Sequence, residues 1–123
     1  MNPPVSYFLI VAHGSRRIEA NAEIAALACQ LQNCLPRYTV RHAFLELAQP
    51  SIPDALEKAI AEGAALIQIL PYFLTGGVHV TTDIPEILDA TQRRHPRVTL
   101  RQLPHCSADA GWINWLAQKA TDL

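Results

Sequence analysis

Four short apolar runs, each followed by a stretch with helical spacing, leave this chain few folds to choose from. Tyr7-Phe-Leu-Ile-Val-Ala12 and Ala64-Ala-Leu-Ile-Gln-Ile-Leu70 are nearly continuous in apolar side chains, the pattern of strands buried on both faces. Tyr38 to Leu45 and Val98 to Leu103 alternate instead, as strands with one half-exposed face do. Between them, Glu19 to Cys34 carries Ile24, Leu27, Ala28, Leu31 and then Leu35 on one apolar stripe, and Pro36 ends it. Ser51, with Asp54 three residues on and Pro53 in the first turn, opens a second helix. Its inner side is Ile52, Leu56 and Ile60, and Gly63 stands where a C-terminal cap belongs. A third helix is predicted from about Thr82 to Arg94, with Ile84, Ile87, Leu88 and Thr91 inward, and a fourth from Ala108 to Thr121.

A βαβαβαβα order implies a parallel sheet with right-handed crossovers and helices on both faces. Strands apolar on both faces belong in the middle and alternating strands at the edges. That gives an α/β, three-layer, four-stranded parallel sheet of order 2-1-3-4, a flavodoxin-like half domain. At 123 residues there is room for one such domain, so residues 1–123 are read as a single unit.

Composition excludes some function classes. Charged residues make up 17% of the chain, the formal net charge is -1, and no basic stripe is present, which argues against nucleic acid as a partner. The run Tyr7 to Ala12 lacks a basic stretch before it and is too short for a leader or a membrane span, so no membrane association is expected. The three cysteines, Cys29, Cys34 and Cys106, show no CxxC spacing, so neither a disulfide framework nor a zinc knuckle is expected, and a cytoplasmic location is the simplest reading. Cys29 and Cys34 are expected to be core or semi-buried thiols. Trp112 and Trp115 are expected in the core, with a subunit contact as the alternative, and His42 and His95 at the surface.

In open α/β sheets, ligands bind beyond the carboxyl ends of the strands, above all where the strand order reverses. Those ends carry His13-Gly14-Ser15-Arg16-Arg17 after the first strand, Glu46 after the second, Pro71 to His79 after the third and His105-Cys106-Ser107 after the fourth. Two histidines and a carboxylate thus converge from three separate parts of the chain. Imidazole suits cobalt, nickel, iron and zinc, and its neutral form also accepts protons. Each residue has a plainer reading. His13 could be a satisfied strand end, Glu46 a cap or a partner of Arg41 or Arg16, and His79 an exposed loop residue. Arg16 and Arg17 could be a solvated helix start or, with Ser15, an anion-binding one. His105 and Cys106 fit packing or wall roles better than ligation.

Three segments, Leu9-Ile-Val-Ala-His-Gly-Ser-Arg16, Ala43-Phe-Leu-Glu-Leu-Ala-Gln-Pro-Ser51 and Leu70-Pro-Tyr-Phe-Leu-Thr-Gly-Gly-Val-His-Val-Thr-Thr-Asp-Ile-Pro85, resemble in series the short, single-domain sirohydrochlorin chelatases. The resemblance implies a chelatase-like fold and ATP-independent insertion of a divalent metal ion (cobalt, iron or nickel) into sirohydrochlorin. It implies that His13 and His79 bind the metal and accept pyrrole protons, that Glu46 is their acidic helper, and that the enzyme is a homodimer. No cofactor is expected beyond the Co2+, Fe2+ or Ni2+ substrate. Sirohydrochlorin is a polyanion, and Ser15, Arg16 and Arg17 beside His13 are the candidates for holding its carboxylates. The competing reading is a flavodoxin-like carrier or sensor that binds a metal or nucleotide without turnover, although the chain lacks GxGxxG and P-loop patterns.

Overall fold

The computed structural model describes residues 5–122, so residues 1–4 and 123 of the expected single unit lie outside it. Strands β1 (Val5–Ala12), β2 (Thr39–Phe44), β3 (Ala64–Pro71) and β4 (Thr99–Gln102) form one parallel sheet in the order β2-β1-β3-β4, as the run patterns imply. Helix α1 is Ile18–Cys34, α2 Ile52–Ala61, α3 Ile84–Arg94 and α4 Ala110–Thr121.

Helix α1 covers one face of the sheet. Its Ala28, Leu27 and Leu31 pack on Phe8, Ile10 and Val40. Helices α2 and α3 cover the other face, where Ile52, Leu56, Ala59, Ile84 and Leu88 meet Leu9, Val11, Ala43, Ile67 and Ile69. The central position of β1 follows from its alternate residues: Ile10 is buried on one side, and Leu9 and Val11 on the other. Each fully buried aliphatic side chain contributes roughly 1.5–3 kcal/mol, so both faces of β1 are needed. The ends of α2 match expectation. Ser51 Oγ accepts from Asp54 N–H at 3.2 Å, and Gly63 takes φ +100° just past the helix.

Four expectations fail. Cys29 and Cys34 are exposed, because the α1 stripe of Ile24, Leu27, Ala28 and Leu31 leaves both outside it. Trp112 and Trp115 are not core. No residue of α4 is buried, and the two indoles stack on each other with centroids 5.5 Å apart and planes 24° apart. The face of β3 and β4 on the α1 side carries Gln68 and Arg101 in register, a poor surface for an apolar helix. His42 is half-buried edge-on to Phe44, and burial holds its imidazole below the ordinary range. The segment before α3 is not a loop into a helix at Thr82. It is a wide turn over His79–Asp83, continuous with α3 and closed by a hydrogen bond from Ile84 N–H to the His79 carbonyl. Among the described residues no helix is long and apolar enough to cross a membrane.

Candidate functional site

His13 follows β1 directly, and strand pairing continues past both strand ends to place Glu46 beside it. Leu45 N–H donates to the Ala12 carbonyl at 2.9 Å and Glu46 N–H to the His13 carbonyl at 3.0 Å. Gly14 makes that approach possible. It sits at φ +97°, and a Cβ there would lie 1.8 Å from the Glu46 carbonyl oxygen. No other residue fits this crossing without moving one of the two backbones. Beyond Glu46 the chain doubles back, with Leu47 at φ +67° and Phe44 N–H donating to the Pro50 carbonyl. The β2–α2 connection therefore holds Glu46 at the site instead of trailing into solvent.

His79 arrives from β3. Tyr72 N–H donates to the Val11 carbonyl at 2.8 Å, which carries the β3 pairing to the end of β1. The segment from Phe73 to Val78 is then clamped by residues that follow β4. Cys106 Sγ donates to the Phe73 carbonyl at 3.1 Å and Ser107 Oγ to the Leu74 carbonyl at 2.6 Å. The His105 ring lies over Gly76, where a Cβ would come within 3.1 Å of His105 Cε1. His105 and Cys106 thus have the packing role that their position suggested.

The outcome is two imidazoles side by side, tilted to each other. The His13 and His79 ring centroids are 5.0 Å apart, with planes at 57°. His13 Nδ1–H donates to the Gly14 carbonyl at 2.9 Å, and its Nε2 lies 2.8 Å from Glu46 Oε1. His79 Nδ1–H donates to Asp83 Oδ2 at 2.7 Å. Phe73 stands 6.2 Å from the His79 ring and walls one side. All four polar side chains are partly open to solvent, so an ion can reach them. Among the described residues no set of three or more His, Cys, Asp or Glu side chains stands ready around one point for a metal ion.

The structure brings His13, His79 and Glu46 together. It treats the other candidates differently. Ser15 N–H is taken by Asn21 Oδ1 at 2.9 Å, and Ser15 Oγ accepts from Arg17 N–H at 3.0 Å. Two of the backbone donors imagined for an anion are therefore already satisfied within the loop. Arg16 and Arg17 are exposed and have no ion-pair partner among the described residues. Glu46 pairs with His13, and Arg41 pairs with Glu62. Sequence reasoning passed over Asp83 and Asn21. The i,i+4 spacing of His79 and Asp83 was a usable signal for the first; nothing local announces the second.

The chain matches the CbiX family model over residues 7–123. It is 36% identical over 89 residues to a sirohydrochlorin cobaltochelatase of Methanocaldococcus jannaschii, a match covering 71% of this chain and 61% of that protein. It is 38% identical over 79 residues to the chloroplastic sirohydrochlorin ferrochelatase of Arabidopsis thaliana, covering 64% of this chain and 35% of that one. In both cases the match spans less than two thirds of the relative's length. Among solved structures, the sirohydrochlorin chelatase SirB of Bacillus subtilis subspecies spizizenii in complex with cobalt superposes with a TM-score of 0.79 at 27% identity. That superposition covers 97% of this chain and 51% of SirB.

Proposed function

Because the chain belongs to the CbiX family, we propose that it inserts a divalent metal ion into sirohydrochlorin without ATP, with His13 and His79 as the metal-binding and proton-accepting pair. The observation that carries the reading is the meeting of two imidazoles, 5.0 Å between centroids, at the sheet end where the strand order reverses. Insertion exchanges two pyrrole protons for one M2+, so the site must hold a cation and then take up two protons. His79 donates through Nδ1, which leaves the Nε2 lone pair for the incoming ion. At His13 the Gly14 carbonyl fixes a proton on Nδ1, and Nε2 shares the Glu46 carboxylate. Glu46 must swing aside for His13 Nε2 to reach the metal; the freed carboxylate is then placed to accept one pyrrole proton, and a histidine Nε2 vacated as the metal passes to the macrocycle accepts the other. Arg16 and Arg17 hold substrate carboxylates at the α1 start.

Cobalt, iron and nickel all suit imidazole with carboxylate. The working unit is a homodimer and residues 1–123 form one chelatase domain within it. The match to about half of SirB, and an α4 that leaves Ile113 61% and Trp115 50% exposed, support a second copy. Trp112 and Trp115 of α4 also line an apolar recess of about 680 Å³ with Leu70, Leu103 and Pro104, a surface such a copy would cover.

The test mixes purified protein, its mass measured by light scattering, with metal-free sirohydrochlorin and Co2+, Fe2+ or Ni2+ without oxygen. The visible spectrum should convert to that of the metallated macrocycle faster than in protein-free controls, from a species of dimer mass. Tight metal binding with no acceleration would favour the carrier reading, and full activity in a monomer would remove the dimer.

A further inference from the structure

Outside the two histidines and Glu46, one side chain at the site has been given no role of its own: Asp83, which accepts the His79 Nδ1 hydrogen bond. We infer that Asp83 is a positioning residue, which fixes the His79 ring and its tautomer so that the Nε2 lone pair stays free. The assignment rests on the His-pair reading and adds a residue to it.

The geometry has three parts. The first is the widened turn. His79 and Asp83 are its first and last residues, and its closing bond runs from Ile84 N–H to the His79 carbonyl. A turn with one residue more than the α-helical turn places residues four apart nearly one above the other, and such widened turns recur at functional sites. The second is the contact. His79 Nδ1 and Asp83 Oδ2 are 2.7 Å apart, a short charge-assisted bond in which the carboxylate can only accept. The proton therefore sits on Nδ1, and Nε2 is left as the acceptor. The third is the support. A widened turn leaves carbonyls without their usual partners, and here Gln102 of β4 donates from Nε2 to the Val80 carbonyl at 3.0 Å. Val80 itself is buried, so the turn is pinned to the sheet. Asp83 thus stands on a fixed element and holds Nδ1, so that Nε2 is the nitrogen of the ring left without a partner.

His13 has no equivalent. Its Nδ1 bonds a backbone carbonyl and its carboxylate sits on Nε2, where the ion must go. Of the two imidazoles, His79 is the one held with its metal-facing nitrogen open. Carboxylates that accept from the remote nitrogen of a metal-binding histidine fix both tautomer and ring orientation, and their loss costs about 10- to 100-fold in metal affinity or activity.

The decisive variant is Asp83→Asn, which keeps size and helix position. An amide can present N–H to Nδ1 and so favour the opposite tautomer, with the proton on Nε2. A merely structural role for Asp83 leaves Asp83→Asn like the parent. The positioning role makes Asp83→Asn at least as damaging as Asp83→Ala, with circular dichroism and melting midpoint near those of the parent. Three readouts are taken on the full chain. Long-range proton–nitrogen correlation of the labelled side chain should show His79 with its proton on Nδ1 in the parent and on Nε2 in Asp83→Asn. Titration with Co2+ alone should show about 10- to 100-fold weaker binding in both variants. Insertion should lose kcat more than it raises KM for sirohydrochlorin, because a positioning residue acts through the His79 ring and not on the macrocycle. Unchanged His79 tautomer and unchanged Co2+ affinity in Asp83→Asn would overturn the assignment. A parent that shows the tautomer and binds Co2+ but inserts no metal would sink the chelatase reading and leave the role of Asp83 standing.

Discussion

The two histidines each lean on a carboxylate, yet they are built in opposite ways. His13 meets Glu46 across two strands, through backbone pairing that outruns β1 and β2 and a glycine that lets the two chains cross. His79 meets Asp83 within a single turn. The carboxylates also take opposite nitrogens: Glu46 sits on His13 Nε2, facing the site, and Asp83 on His79 Nδ1, behind it. A carboxylate in front competes with the metal and can carry a proton. A carboxylate behind only orients. On the proposed reading, two residues of one chemical type, placed at opposite nitrogens of their imidazoles, do two different jobs.

Removing the rings themselves tests the comparison hardest. His13→Ala and His79→Ala should each lower insertion by roughly 100-fold or more, and, with the pair acting on one ion as proposed, the double variant should be little worse than the worse single one. Initial rates with circular dichroism as a folding check decide this. Additive losses would mean that the two rings act separately. In the parent the rate should also fall on acidification, since a protonated imidazole has no lone pair for the metal.

Next in size is the crossing. Gly14→Ala puts a methyl on the Glu46 carbonyl and forces a left-handed φ on a residue with a Cβ. It should destabilise the fold by about 1–3 kcal/mol in denaturant melts, and it should reduce insertion by at least as much as Glu46→Gln, for which about 10- to 100-fold is expected. Gly77→Ala, where nothing lies within reach of a Cβ and φ is ordinary, is the control and should leave stability near that of the parent. If Gly14→Ala retained full rate, the His13–Glu46 contact would not matter to the reaction.

The smallest effect lies away from both arms. The Arg94 guanidinium, and after it His95, hold the Glu57 carboxyl below the usual carboxylate range, and the three tie α2 to the end of α3. A carboxylate with a lowered folded-state pKa adds stability above its unfolded pKa, about 4.3, and loses it as the pH falls through the folded value. Because the group is exposed, the effect is small. Glu57→Gln should slightly flatten the acid limb of melting midpoint against pH, and should leave Co2+ affinity at neutral pH unchanged. A change in affinity would couple this surface cluster to the widened turn and blur the separation between the two arms and the rest of the molecule.

Much of this was legible in the chain itself. Strand order followed from which runs were apolar on both faces, since a strand buried on both sides has nowhere to sit but the middle. The convergence of His13, Glu46 and His79 followed from that order, because in a parallel sheet all strand ends of one kind meet at one edge. Periodicity also set the α2 cap and the inner stripe of α1, both of which depend on neighbours within a turn or two. What only the tertiary structure decided were contacts between segments distant in the chain. That α4 stays uncovered depends on Gln68 and Arg101 of the sheet face, not on the apolar content of α4. That His79 opens a helical turn and not a loop depends on Gln102 donating to Val80, which no local pattern encodes. Which nitrogen of each imidazole meets a carboxylate was decided last, because it turns on where a single oxygen comes to rest once the strands, the crossing and the turn are in place.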